Sequence, residues 1–403
     1  MLAVTDRRAL LVALAVWNSL ALLAGVSTAV LRSGSPPNGS ARVSSDPATP
    51  LPSVVPSLGI QALVPELSRF VERERGLRFR TPVTVTLLGD AAFRDRLAEE
   101  GDESTEQVEP EPEVAVTLQA LGLIEPGTDL DEAIESLTGD TVAGFYDPEN
   151  DELVVRGDTA TPLVRTVLVH ELTHALQDQH FDLDRPELED RDDEAFLGYL
   201  GLVEGDASVV EQAYRDQLSK RDRSALDAEE ERLYGDTGED APEVLLALFG
   251  FPYEVGPQFV EQLRDARGQA GLDAAFESPP QSSEHLLHIA SFLREDNPRV
   301  LADPRGRGTV VDRGVLGELG LLVTLGLSPA GKVRDAVDDV DDWGGDRYVS
   351  WRDGSRACTA AIIVMDTDAA AGELRSALDR WAERRAGASI GGSARQITLD
   401  ACA

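Results

Sequence analysis

Cysteine, histidine and lysine are nearly missing from this chain. Its 403 residues include two Cys, five His and two Lys, and acidic residues outnumber basic ones 73 to 37. So few cysteines exclude a fold that depends on a disulfide framework, and a chain of this length can bury a core without one. Cys358 and Cys402 both lie near the C-terminal end, where they form either one disulfide or two buried thiols. The shortage of basic residues excludes a class of partner. A formal charge of −36 repels phosphate backbones and anionic head groups, so nucleic acid is not expected to bind. No internal repeat is visible.

Because histidines are scarce, their placing is informative. Three of the five fall within His170 to His180, in the run HELTHALQDQH. A helix advances about 100° per residue, so His170 and His174 lie one turn apart and about 40° from each other on one face. Both imidazoles can then reach a single ion. Glu171 lies about 100° round from His170, where it flanks that ion without binding it, the place for a base acting on a metal-activated water. This is the HExxH spacing. Cys358 and Cys402 are too far along the chain to be expected as ligands.

Taken in order, the chain opens with Arg7 and Arg8 before an uncharged run of 23 residues, Ala9 to Leu31. Such a run is long enough to span a bilayer, and the paired Arg favour an uncleaved signal anchor at 1–31 with the rest of the chain outside the cytosol. The expected placement is therefore a single-pass membrane protein, with secretion after cleavage near Ser27 to Ala29 as the alternative. Residues 32–58, rich in Pro, Ser and Gly, read as a flexible linker.

A folded part is expected over 59–335, with a small C-terminal α/β element at 336–403 packed on it, giving an α+β class overall. Leu63 to Leu77 carries helical spacing, and Pro82 to Leu88 has the β-branched content of a strand. The run TVAGFYDPENDELVV reads as strands Thr141–Tyr146 and Glu152–Val155 joined by turn formers, and Glu152–Val155 is a candidate edge for pairing with a peptide. Thr161 followed by Pro162 predicts the start of the HExxH helix, which reads as half core and half cleft wall. The next helix, about Asp192 to Leu218, places Glu204 at the margin of an apolar stripe, with Gly201 and Gly205 allowing close approach of the HExxH helix. Separate helices are predicted at Glu243–Phe251 and Gly256–Arg267.

Catalytic zinc takes three protein ligands and keeps a fourth position for water. HExxH supplies two of them. His180 lies about 240° from His174 on a continued helix and faces away. Glu204 is the favoured third ligand, with Asp206 and Glu211 as alternatives. Asp178, four residues after His174 and on its face, is placed to orient a ligand imidazole.

With HExxH followed by a glutamate on a later helix, the chain resembles the gluzincin metallopeptidases. It is most similar to a group of exported bacterial proteins carrying HELTHALQDQHF and EGDA runs. The likeness covers roughly residues 60 to 365, through TVAGFYDPENDELVV, FPYEVGPQFVEQL, PPQSSEHLLH and DWGGDRY. It implies a zincin-like fold, Zn²⁺ held by His170, His174 and Glu204, Glu171 as catalytic base and Asp178 behind a ligand. The expected activity is hydrolysis of peptide or protein substrates, with His288 or Tyr348 supplying the oxyanion donor. One departure is His288-Ile289-Ala290, where related sequences read HPE. The competing expectation is a zincin-fold protein that binds zinc or a partner without turnover.

Overall fold

A computed structural model of the chain describes residues 59–403 apart from 103–112, 139–141, 149, 158, 186–187, 189–192, 236–240 and 328–332. The uncharged run at 9–31 and the linker at 32–58 lie outside the described residues. Among the described residues no helix is long and apolar enough to cross a membrane. The transmembrane anchor, the membrane partner and the single-pass placement expected from sequence are corrected accordingly.

The chain forms a mixed α+β fold in which helices predominate around two small sheets. Helix α1 (Ile60–Arg75) buries Leu67, Phe70 and Val71 and stops at Gly76, whose φ of 78° admits the left-handed turn that ends it. Strand β1 (Thr84–Leu88), helices α2 (Asp90–Asp102), α3 (Val114–Leu121) and α4 (Leu130–Thr138), and strands β2 (Gly144–Asp147) and β3 (Glu152–Arg156) follow. The first sheet has the order β1-β3-β2, with β3 parallel to β1 and antiparallel to β2. Strand β3 is therefore the inner strand. Both its edges are already hydrogen-bonded, which corrects the expectation that Glu152–Val155 accepts an added strand.

Helix α5 (Pro162–Phe181) begins as its sequence requires. The Thr161 side chain accepts from Val164 N and Pro162 sits at the first turn. It packs on α1, on the β2–β3 hairpin, and on helices α6 (Asp193–Gln217) and α7 (Lys220–Tyr234). Every residue from Thr166 to Gln177 is buried, so the helix is enclosed all round where it was expected to be half core and half cleft wall. Burial of Val164, Leu168, Leu172, Ala175 and Leu176 holds it there, at roughly 1.5–3 kcal/mol for each large aliphatic side chain.

The helix that covers the remaining side of α6 is α8 (Glu243–Glu277), which runs through Pro252 and Pro257 where two helices were expected. The departure from helical geometry comes later, at Gly268 with φ 68°. Packing on α6 explains the continuity: the two backbones cross at Gly201, Gly205 and Gly256, and the Cβ of an alanine at Gly205 would stand 2.8 Å from Gly256 Cα. The close approach expected between α6 and α5 is thus made between α6 and α8.

The chain closes with α9 (Ser283–Leu287), α10 (Ile289–Arg294), β4 (Val310–Gly314), α11 (Gly317–Gly326), α12 (Val333–Val340), β5 (Trp343–Asp353), β6 (Arg356–Met365), α13 (Asp368–Ala382), β7 (Ser389–Ser393) and β8 (Gln396–Cys402). The second sheet, ordered β4-β5-β6-β8-β7, is antiparallel throughout. Its edge strand β4 comes from ahead of the boundary expected at residue 336, and α3 packs on β6 from far upstream. Cys358 and Cys402 face each other across β6 and β8 and form a disulfide.

The α6–α8 crossing makes a first prediction. Gly205→Ala forces a side chain into the Gly256 backbone and is expected to lower stability by about 1–3 kcal/mol. Gly372→Ala, at an exposed helical position with no neighbour within 4 Å, should raise it by roughly 0.5–1 kcal/mol. Urea unfolding of the two variants checks the contrast.

Candidate metal centre

Three side chains converge between α5 and α6. The ligand atoms of His170, His174 and Glu204 lie within 4.8 Å of one another, and all three residues are buried. One turn of α5 supplies both imidazoles, and Glu204 reaches them from α6. Glu204 Oε2 stands 3.2 Å from His170 Nε2 and 3.5 Å from His174 Nε2. Among the described residues this is the cluster of its kind able to hold a metal ion.

The outer nitrogens explain why the inner ones point together. His170 Nδ1 lies 2.9 Å from Glu211 Oε2, and His174 Nδ1 lies 3.0 Å from Gln177 Oε1. Both partners present oxygen acceptors, so each Nδ1 carries a proton and Nε2 is the nitrogen left to offer a lone pair to an ion. His174 Nε2 is buried without a hydrogen-bond partner. A buried polar atom left this way is costly in a protein interior, and a cation at the common point satisfies it. The donor set of two imidazoles and one carboxylate fits a divalent transition metal.

Electrostatics reinforce the arrangement. Burial disfavours a charged His170, but Glu204 and Glu211 outweigh it and raise the imidazole to about 10. An entering ion therefore displaces a proton. Burial likewise opposes charge on Glu211, yet Arg215 and His170 hold its carboxyl down to about 2. Arg215 is in turn clamped between Glu211 and Glu230, each at 2.6 Å.

Of the two alternative ligands considered from sequence, Glu211 stands behind His170 and Asp206 pairs with Arg75 at 2.6 Å. Asp178 is corrected: it accepts from the Tyr146 hydroxyl at 2.8 Å and from Leu183 N at 2.9 Å. The part expected of it is taken by Gln177, one residue earlier. His180 turns away from the cluster and contacts the Arg78 carbonyl at 2.8 Å.

Neither expected oxyanion donor is found at the cluster. Tyr348 is fully buried in the second sheet's core, with its hydroxyl donating to Asp312 at 3.1 Å. His288 pairs with Glu318 at 2.8 Å and approaches Asp341 at 3.5 Å. The hydroxyl that does come to the centre is that of Tyr253, from the stretch of α8 just before the Gly256 crossing. Burial, followed by the negative charges of Glu204 and Glu171, pushes this phenol well above its ordinary value and keeps it protonated. Sequence reasoning missed Tyr253 because the two prolines flanking it read as a break between helices.

The centre is closed. His170, Glu171, His174 and Glu204 expose none of their surface, and among the described residues no opening for water lies beside the ligands where one was expected.

Residues 306–401 match a family described as a domain of unknown function (DUF8575). No curated protein and no solved structure matches the chain. The matched segment contains the second sheet up to residue 401 and leaves His170, Glu171, His174 and Glu204 outside it.

The His288–Glu318 pair has a predicted pH signature. Burial disfavours the charged imidazole, but Glu318 and Asp341 raise His288 from its ordinary 6.5 to about 9. With the folded value above the unfolded one, the pair stabilises fully below about pH 6.5, and that contribution is lost as pH rises through about 9. The stability gap between the wild type and His288→Asn should be widest near pH 6 and shrink towards pH 10, read by urea midpoints across that range.

Proposed function

We propose that this protein is a zinc-dependent peptidase with a zincin-like catalytic part. The convergence of His170, His174 and Glu204 from two helices, with Glu171 beside them, carries that reading. Bound zinc would supply the Lewis acidity that polarises a peptide carbonyl and brings a water towards ionisation at neutral pH. His170 and His174 hold the ion through Nε2 while Glu211 and Gln177 fix their rings. Glu171 accepts the proton of the attacking water and passes it to the leaving amine. Tyr253, protonated and facing Glu204 and Glu171, donates to the oxyanion in place of His288 and Tyr348.

The complete burial of the four residues favours a second reading, a zincin-fold protein that retains zinc without turnover. Glu171 separates the two. In the peptidase, Glu171→Gln should keep stoichiometric zinc by elemental analysis while hydrolysis of a denatured protein substrate falls by about 10²–10⁴. Zinc bound by the wild type with no hydrolysis of any peptide pool supports the second reading. Absence of zinc from the wild type overturns both.

A further inference from the structure

Arg75, the last residue of α1, is 1% exposed although it carries a full charge. Its Nε lies 2.6 Å from Asp206 Oδ2 on α6, and its Nη1 lies 2.6 Å from Asp273 Oδ1 on α8. The guanidinium carbon is 5.6 Å from the ring centres of both Phe181 and Phe276, which stack on each other at 4.4 Å. One buried cation thus joins α1, the end of α5, α6 and the far part of α8. Burying an arginine this deeply is costly unless its partners are held in place.

The same Asp206 oxygen that takes Arg75 also accepts from Gln177 Nε2 at 2.9 Å. Gln177 Nε2 donates as well to the Val203 carbonyl at 3.0 Å, and Gln177 Oε1 faces His174 Nδ1 at 3.0 Å. A side-chain amide offers an acceptor on one end and donors on the other. With its amine anchored on Asp206 and Val203, Gln177 has to present oxygen to His174. That orientation places the His174 proton on Nδ1 and the lone pair on Nε2, towards Glu204. Reversal of the amide would ask His174 for the other tautomer, which has no lone pair at the ligand position. His170 has no such dependence, because Glu211 presents oxygen whichever way it turns.

We propose that Arg75 is a positioning residue of the metal centre, acting on His174 through Asp206 and Gln177, so that docking of α1 sets how firmly the ion is held. The inference rests on metal binding by His170, His174 and Glu204 and is independent of catalysis. Without Arg75, Asp206 becomes an uncompensated buried carboxylate and no longer stays to anchor the amide. Loss of such supporting partners weakens metal affinity by about 10–100-fold.

The test uses the full chain and Co²⁺, read by its visible absorption and by chelator competition, with the thermal midpoint of the metal-free protein measured in parallel. Arg75→Met should weaken Co²⁺ binding by about 10–100-fold. Arg75→Lys, which keeps the charge but cannot reach both carboxylates in a fixed fork, should fall between and carries the test if Arg75→Met does not fold. In a Gln177→Glu/Asp206→Asn background the group facing His174 is an acceptor at both ends and needs no anchoring. There Arg75→Met should leave the affinity within about twofold, whatever it does to the midpoint. Equal weakening in both backgrounds, or a lowered midpoint with unchanged affinity in the wild-type background, overturns the relay. If the wild type takes up no Co²⁺, the metal reading falls and the relay falls with it.

Discussion

Each imidazole of the centre is held by its outer nitrogen, and the rest of the arrangement depends on those two hydrogen bonds. Glu211 and Gln177 fix ring orientation and proton position together, so that two Nε2 atoms face one carboxylate oxygen of Glu204. Neither bond survives alone. Glu211 needs Arg215 to stay charged in a buried place, and Gln177 needs its amine occupied elsewhere. The metal-directed geometry is therefore a property of how α5, α6 and α8 pack, although HExxH itself is local.

Charge of this kind is an inefficient way to stabilise a core. Replacing buried ionic groups by well-packed apolar ones is often neutral or favourable, so Glu204, Glu211, His170 and Arg215 are poorly explained as scaffolding. Perturbed, mutually dependent titratable groups gathered at one point are an arrangement that functional sites share with structural ion-pair networks. The surrounding layer is strongly apolar: Leu168, Val169, Leu172 and Leu176 line α5 on the sides not facing Glu204. Low local polarity strengthens each remaining electrostatic contact.

Several features were legible in the sequence because they depend on local chemistry. Thr161 with Pro162 starts α5 as read, and helical spacing puts His170 and His174 on one face, to which the packing of α6 on α5 brings Glu204. The α+β class followed from strands and helices with distinct periods. What was missed depends on contacts between elements distant in sequence. Asp178 and Gln177 are adjacent, and only the position of α6 decides which of them meets a ligand. Tyr253 and Arg75 carried no signal of their own. One sits between prolines that packing on α6 accommodates; the other lies in an ordinary charged run, VERER, and gains its place through Asp206 and Asp273. Likewise β4 was invisible as a partner of β5, because a short edge strand is defined by its neighbour.

The bare backbone contact between α6 and α8 also constrains how the chain can vary. Glycine at 205 and glycine at 256 share one small space, so a methyl group gained on either side has no complementary deletion left to offset it. Any change there shifts the segment bearing Tyr253 relative to Glu204. Drift at these two positions is thus tied to Glu204, one residue from Gly205, and to Tyr253, three residues from Gly256, and chains of this design should keep both bare or lose the phenol from the centre.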